Sequence, residues 1–256
     1  TQSKNHVSDV SSTGAQMPRL IGLAQASKIY RKLKIKNARK FSNNGDEIAW
    51  GTIGNASTSE GLFFEAINAA GVLQIPMVMS VWDDGYGISV DNKQQTTKES
   101  ISKALEGFAR EQDMGIEILT VKGWDYSALI KTYSYASKIA REKHIPVLVH
   151  VTELTQPLGH STSGSHERYK SSERLQWEKD HDCNLKFREW ILSNGICDEK
   201  FLNEMESKIK IKVKEAKNKA WKSYQKPIFS QRDQLNEFLE AFMTQSHNDV
   251  ELKILH

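Results

Sequence analysis

Residues 54–90 read GNASTSEGLFFEAINAAGVLQIPMVMSVWDDGYGISV, and their order of turn, helix, strand and turn decides the fold. A short strand at 47–52 leads into Gly54, Asn55 and Ala56, all small or turn-favouring. Ser57 and Glu60 carry the S-x-x-E spacing of a capping box. Leu62, Phe63, Phe64, Ala66, Ile67, Ala69, Ala70, Val72 and Leu73 place apolar side chains on most faces, which predicts a buried helix that stops before Pro76. Met77–Trp82 follows as a short apolar strand, and Asp83, Asp84, Gly85, Tyr86 and Gly87 form a tight polar turn behind it.

A strand feeding a small-residue turn and a helix start offers unpaired backbone N–H groups to an anion, usually a phosphate. In a parallel sheet both turns lie at carboxyl ends of strands, where open α/β folds bind ligands. Asn55 on one turn and Asp84 on the next can then face the same point. A carboxylate, an amide oxygen and a backbone carbonyl are hard donors that suit Mg2+ held together with substrate phosphate oxygens. Spacing alone leaves the ordinary alternative open, because such units occur throughout α/β proteins and Asp-Asp-Gly is a common turn.

Outward from this stretch, the chain alternates. Residues 1–16 are loop-like, and 17–33 repeat apolar residues at helical spacing behind Pro18. A polar loop at 34–46 turns on Asn44 and Gly45, and a second polar loop covers 91–97. A helix is expected at 99–110, a strand at 116–121, a helix at 126–143 capped by Asp125, and a strand at Val147–Thr152. Strand and helix in turn predict an α/β fold, a doubly wound parallel sheet. From residue 173 the pattern is charged and helical, with helices expected at 173–194, 198–225 and 231–244. The organisation expected is a cofactor-binding α/β domain over 1–155, an active-site loop over 156–172, and a C-terminal helical tail over 173–256. Asp180, His181 and Asp182 are metal-ligand types, but neighbouring helical positions point in different directions.

Composition narrows the function. The chain has 256 residues with Lys+Arg 35 against Asp+Glu 32, a formal net charge of +3. That mixed-sign surface is not a nucleic-acid footprint, and the basic excess at 208–226 reads as a solvated helix face. No apolar run reaches the length of a membrane span. The first residues form neither a signal peptide nor a transit peptide. Cys183 and Cys197 lie in no C-x-x-C or His/Cys cluster, so free thiols in a reducing, cytoplasmic setting are expected. A dinucleotide-binding reading fails for want of G-x-G-x-x-G after the first strand.

Residues 54–90 resemble the thiamine diphosphate motif of the 2-oxo acid dehydrogenases, in the α subunit or α half of their decarboxylating component. That motif runs Gly-Asp-Gly, Ser-Glu-Gly, a helix, then Asn-Asn before an aromatic residue and Ile-Ser. Gly54, Asn55 and Ala56 fall on Gly-Asp-Gly, Ser59-Glu60-Gly61 matches outright, Asp83-Asp84 falls on Asn-Asn, and Tyr86 on the aromatic. The resemblance implies the thiamine diphosphate-binding fold. It also implies Mg2+ held by Asn55, Asp84 and the Tyr86 carbonyl, with Gly54 and Ala56 packed on the diphosphate. Amide and carboxylate have changed places at 55 and 84, a swap that conserves charge and oxygen count. Exchanging them back, Asn55→Asp with Asp84→Asn, is therefore expected to retain binding. Trp82 stands where some members carry an Arg that reaches the diphosphate.

Two loops extend the resemblance. Ser11 and Thr13 fall in the family's loop against the cofactor's aminopyrimidine; by themselves they read as an ordinary helix-entry loop. Gly159-His160-Ser161-Thr162-Ser163 and Tyr169-Lys170-Ser171 are similar to the regulatory loop of the branched-chain members. His160 lands on the loop histidine near the reactive end of the cofactor, where an imidazole can carry a proton near neutral pH; alone it reads as a solvent-facing loop residue. Ser161 and Ser171 match positions phosphorylated in mitochondrial members.

The expected function is oxidative decarboxylation of a 2-oxo acid of the branched-chain type, or pyruvate, with acyl transfer to lipoyl-lysine of a separate acyltransferase. Family members carry a long stretch ahead of the Ser11 loop, so this chain is expected to be a fragment. A β-type domain or subunit, in an α2β2-like or fused assembly, would supply the glutamate that activates the aminopyrimidine. The opposing expectation is a non-catalytic scaffold that kept the fold and lost the cofactor.

Overall fold

The computed structural model describes residues 12–33, 35–160 and 166–245. Clustering of the chain gives two compact units, Thr1–Ile191 and Leu192–His256.

The first unit is built on β1 (Ala49–Gly54), β2 (Met77–Trp82), β3 (Tyr86–Gly87), β4 (Val90–Asp91), β5 (Glu117–Lys122) and β6 (Val147–Thr152). The four longer strands form one parallel sheet in the order β1-β2-β6-β5, and β3 and β4 pair as a small antiparallel ladder. The helices are α1 (Met17–Lys32), α2 (Gly61–Leu73), α3 (Ile101–Ala104), α4 (Tyr126–Lys143), α5 (Ser172–Asp180) and α6 (Cys183–Ser193).

The pleat sorts the strand side chains into two cores. Met77, Met79 and Val81 of β2 and Leu148 of β6 pack with Met17, Leu20, Phe63 and Ile67 of α1 and α2. Val78 of β2 and Val147, Val149 and Val151 of β6 turn the other way, onto Ala136, Ile139 and Ala140 of α4. Central strands buried on both faces read as near-continuous apolar runs, which is why Met77–Trp82 and Val147–Thr152 show no polar alternation. Burial of each large side chain, such as Phe63, contributes roughly 1.5–3 kcal/mol.

The order of strands also sets the place of the cleft. The β1–α2–β2 unit steps across the sheet in one direction, and the β5–α4–β6 unit steps back in the other. Crossover connections keep one hand, so opposite steps put α2 and α4 on opposite faces. The two units diverge between β2 and β6, and a crevice opens there beyond the carboxyl ends.

Four local expectations change. Ser57 and Glu60 form no capping box: residues Ala56–Ser59 are a 3-10 turn, and Glu60 is itself the N-cap of α2 without a side-chain bond. The helix expected at 99–110 is only α3 and a 3-10 turn at Glu106–Phe108. Ala109 and Arg110 are instead drawn beside Ile116, which bonds in both directions to this segment. The helix expected at 173–194 is two, α5 and α6, because Asp182 accepts the Leu185 N–H at 2.9 Å and starts a new helix.

In the second unit, α7 (Glu199–Gln245) is one helix of 47 residues with Pro227 inside it. Two helices were expected. Proline removes one backbone donor, but the helix is solvated around Ser223, whose carbonyl would have received it, so water can replace the lost bond. Both cysteines are free. Among the described residues no helix is long and apolar enough to cross a membrane.

Candidate functional site

A cleft of about 710 Å³ lies at the carboxyl ends of β1, β2 and β6. Gly54 enters it from the end of β1 and Asn55 and Ala56 from the turn behind it, Trp82 from the end of β2, Asp84 from the turn behind it and Tyr86 from β3, and Thr155 and Gln156 from the segment after β6. Thr13 and His160 close it from two further loops. All the residues singled out for cofactor or metal thus share one cavity, except Ser11, which lies outside the described residues, as does Ser161.

The backbone fixes these turns. The Asn55 N–H donates to the Trp82 carbonyl at 3.0 Å, and the Asp83 N–H donates to the Val151 carbonyl at 2.9 Å, so the parallel ladder extends one residue past β1 and β2. Gly87 lets the second turn close on the first. A Cβ there would stand 2.5 Å from Ala56 Cβ and closer still to the Gln95 side chain. Ile88, at the rim, holds φ 57°, a left-handed conformation that a β-branched residue rarely adopts and that marks local strain.

Asn55 is buried, and its amide nitrogen donates to the Tyr86 carbonyl at 3.0 Å and to Asn92 Oδ1 at 2.7 Å. Its Oδ1 accepts nothing from the described residues and is not sealed from solvent, so this oxygen is the part left for a ligand. Asp84 Oδ1 accepts the Tyr86 N–H at 3.1 Å, while the Asp84 carbonyl accepts from Arg174 at 2.8 Å. Burial pushes the Asp84 carboxyl above its ordinary value; the Tyr86 N–H and Lys170 oppose that push, and Asp83 adds to it.

Sequence reasoning missed the polar groups beneath this surface. Asp83 and His150 are both buried, with Nε2 and Oδ2 2.8 Å apart. Asn92 Nδ2 donates to both Asp83 oxygens, at 2.9 and 3.1 Å, and the Gly85 N–H donates to Oδ1 at 2.8 Å. The His150 Nδ1 meets Ser102 Oγ at 2.9 Å. Burial alone would raise the Asp83 carboxyl, but the bonds from His150, Gly85 and Asn92 outweigh it and hold it below its ordinary value. A signal did exist for His150: it is the lone polar residue inside the apolar run Val147–Val151, and a buried polar group needs a partner.

Behind Tyr86, Lys170 and Glu178 form a buried ion pair at 2.7 Å, and Arg174 joins it at 2.9 Å. The Lys170 ammonium lies 4.9 Å from the Tyr86 ring centre. Ser171 accepts the Arg174 N–H at 3.2 Å and caps α5. Asp180, His181 and Asp182 serve separately: Asp180 accepts from Gln176, His181 stacks on Trp177 at 4.5 Å, and Asp182 caps α6.

These donors fit one metal better than others. Among the described residues no group of three His, Cys, Asp or Glu could hold an ion. Asp84 is a carboxylate with no ion pair among the described residues, in a cleft whose other acidic lining group is Glu60. A diphosphate entering it would need a cation. Asp84, Asn55 Oδ1 and the Tyr86 carbonyl could hold Mg2+, with phosphate oxygens completing its shell.

A four-stranded parallel sheet flanked by helices, with an oxygen-lined cleft beyond its carboxyl ends, defines an α/β domain with a candidate ligand site. The chain belongs to the dehydrogenase E1 component family, whose pattern matches residues 1–228. It is 29% identical to 2-oxoisovalerate dehydrogenase subunit alpha 2, mitochondrial, of Arabidopsis thaliana, over 83% of this chain and 41% of that protein. It is 27% identical to the pyruvate dehydrogenase E1 component subunit alpha of Rickettsia bellii, over 79% of this chain and 56% of the relative. The 2-oxoisovalerate dehydrogenase subunit alpha of Bacillus subtilis is 26% identical, over 86% and 61%. The chain therefore spans about half the length of these relatives. Both substrate types occur among them.

Proposed function

We propose that this chain is the α portion of a 2-oxo acid dehydrogenase decarboxylating component that binds thiamine diphosphate through Mg2+ and acts on a branched-chain 2-oxo acid. The observation that carries the reading is the convergence of Asn55, Asp84, Tyr86 and His160 on one cleft at the carboxyl edge of the sheet. Family membership supports the class of reaction. The similarity of residues 159–163 and 169–171 to the branched-chain loop supports the substrate class over pyruvate.

When bound, thiamine diphosphate supplies the carbanion chemistry by which a 2-oxo acid loses CO2. The protein's own groups bind and orient. Asn55 Oδ1, the Asp84 carboxylate and the Tyr86 carbonyl would hold the cation. Gly54 and Ala56 would let backbone approach the diphosphate closely, and the Thr13 carbonyl would serve the aminopyrimidine. His160, exposed on its loop and lining the same cleft, would move a proton through its imidazole. A lipoyl-lysine of an acyltransferase would take up the acyl group, and a β-type domain or subunit would complete the site.

Calorimetric titration of thiamine diphosphate into the full-length assembly, with and without Mg2+, tests this. Saturable, metal-dependent binding is expected, followed by turnover of branched-chain 2-oxo acids ahead of pyruvate. Absence of binding in a folded α–β assembly would favour the scaffold reading, for which Trp82 in place of a basic residue is the supporting observation.

A further inference from the structure

The orientation of the Asn55 amide is not a free choice. Asp83 is a buried carboxylate that already takes the Gly85 N–H and faces His150, and Asn92 Nδ2 lies within 2.9 and 3.1 Å of its two oxygens. A carboxylate only accepts, so the Asn92 amide must present its nitrogen to Asp83. Asn92 Oδ1 is then the end turned to Asn55, at 2.7 Å. That oxygen also only accepts, as does the Tyr86 carbonyl at 3.0 Å. Asn55 must therefore turn its NH2 inward to both, leaving Oδ1 outward. Bond polarity passes from Asp83 through Asn92 to Asn55.

We propose that Asn92 is a positioning residue which, read against Asp83, fixes the Asn55 side chain with its oxygen toward the cation, so that residues 55, 83 and 92 form one unit. The inference rests on the metal reading above and deepens it. It predicts against the simple exchange expected from the sequence. With Asn55→Asp and Asp84→Asn, a carboxylate at 55 would face two acceptors, Asn92 Oδ1 and the Tyr86 carbonyl. Asn92 cannot invert to relieve this, because its oxygen would then face Asp83. Adding Asp83→Asn relieves the Asn92 side of this conflict. The new amide at 83 can keep an oxygen on the Gly85 N–H and turn its NH2 to an inverted Asn92. The Asn92 NH2 then donates to the carboxylate at 55. His150 accommodates the change by moving its proton to Nδ1 and donating to Ser102 Oγ, 2.9 Å away.

The test is Mn2+ binding in the presence of thiamine diphosphate, measured by electron paramagnetic resonance on the full-length assembly, with thermal melting as the check on folding. The parent should bind. Asn55→Asp/Asp84→Asn should bind roughly 10–100-fold more weakly, the range for lost outer-shell support. The triple variant with Asp83→Asn should bind more tightly than the double variant but below the parent, because the Tyr86 carbonyl still faces the carboxylate at 55. Asn92→Leu, which keeps bulk but loses both bonds, should weaken binding roughly tenfold. Parent-like binding by the double variant or by Asn92→Leu overturns the relay and leaves the metal reading intact. So does a folded triple variant no better than the double. A parent that binds no Mn2+ overturns the metal reading, and the relay with it.

Discussion

The Asn55 side-chain amide donates to the Tyr86 backbone carbonyl at 3.0 Å, tying the turn after β1 to the turn after β2. The same carbonyl is a candidate metal donor, and the same side chain offers the second oxygen. Asp84, which bonds the Tyr86 N–H, brings the third. The two turns are therefore set with respect to each other before any ligand arrives.

Asp84 is the sole charged member of this donor set. Asp84→Ala should abolish metal-dependent binding of thiamine diphosphate, with a loss of roughly a hundredfold or more for the charged donor of a metal site. Calorimetric titration with and without Mg2+ reads this directly. Affinity equal to the parent's would show that the cation is held elsewhere.

Gly87 sits where a methyl group would strike Ala56 and Gln95. Gly87→Ala should cost about 1–3 kcal/mol by overpacking and should weaken cofactor binding, because the turns would separate. Denaturant midpoints and titration of the same sample check both effects. Gly54→Ala is the contrast: its Cβ would meet nothing nearer than Ser57 Oγ at 4.0 Å, so stability should change little.

The Asp83–His150 pair is buried on both sides, with side chains 8% and 1% exposed. His150→Leu leaves Asp83 one donor short and Ser102 without its ring partner. A stability loss of about 2–4 kcal/mol is expected for a buried carboxylate losing a charge-assisted bond, seen as a lower urea midpoint with an unchanged slope. A neutral outcome would mean that Asn92 and Gly85 suffice.

His144 gives the acid limb of stability. It ends α4 at φ 55°, with Nε2 enclosed and unpartnered among the described residues. Burial, and then the charges of Arg31, Lys28 and Lys32, lower its pKa from 6.5 to about 4. Between those values the unfolded chain binds the proton and the folded chain does not. Stability is therefore full above pH 6.5, falls as pH drops toward 4, and levels below. Asp83, shifted downward, contributes its loss only at more acid pH. His144→Asn removes the titrating ring and tolerates the left-handed backbone, so its urea midpoints at pH 7 and pH 5 should differ less than the parent's.

Much of the fold was legible because core strands and helices are written in hydrophobic periodicity. Met77–Trp82 and Val147–Thr152 appear in the structure with the limits read from the sequence, and α4 starts at its Asp125 cap. Errors fell where local signals competed with tertiary ones. The 99–110 segment has helical spacing, yet Ala109 and Arg110 gain more from pairing with Ile116. Two helices were expected over 198–225 and 231–244, yet α7 runs unbroken through Pro227, where an exposed helix can spare one bond.

The sequence alone determined the alternation of strand and helix, the two turns that carry Asn55 and Asp84, and the family. Those are properties of residue type and spacing along one chain. Only the tertiary structure decided which way the Asn55 amide points, because that depends on Asn92 and Asp83, which lie 37 residues from Asn55 and 9 residues from Asn92 respectively. Hydrogen-bond polarity is a property of neighbours in space, and no periodicity along the chain encodes it.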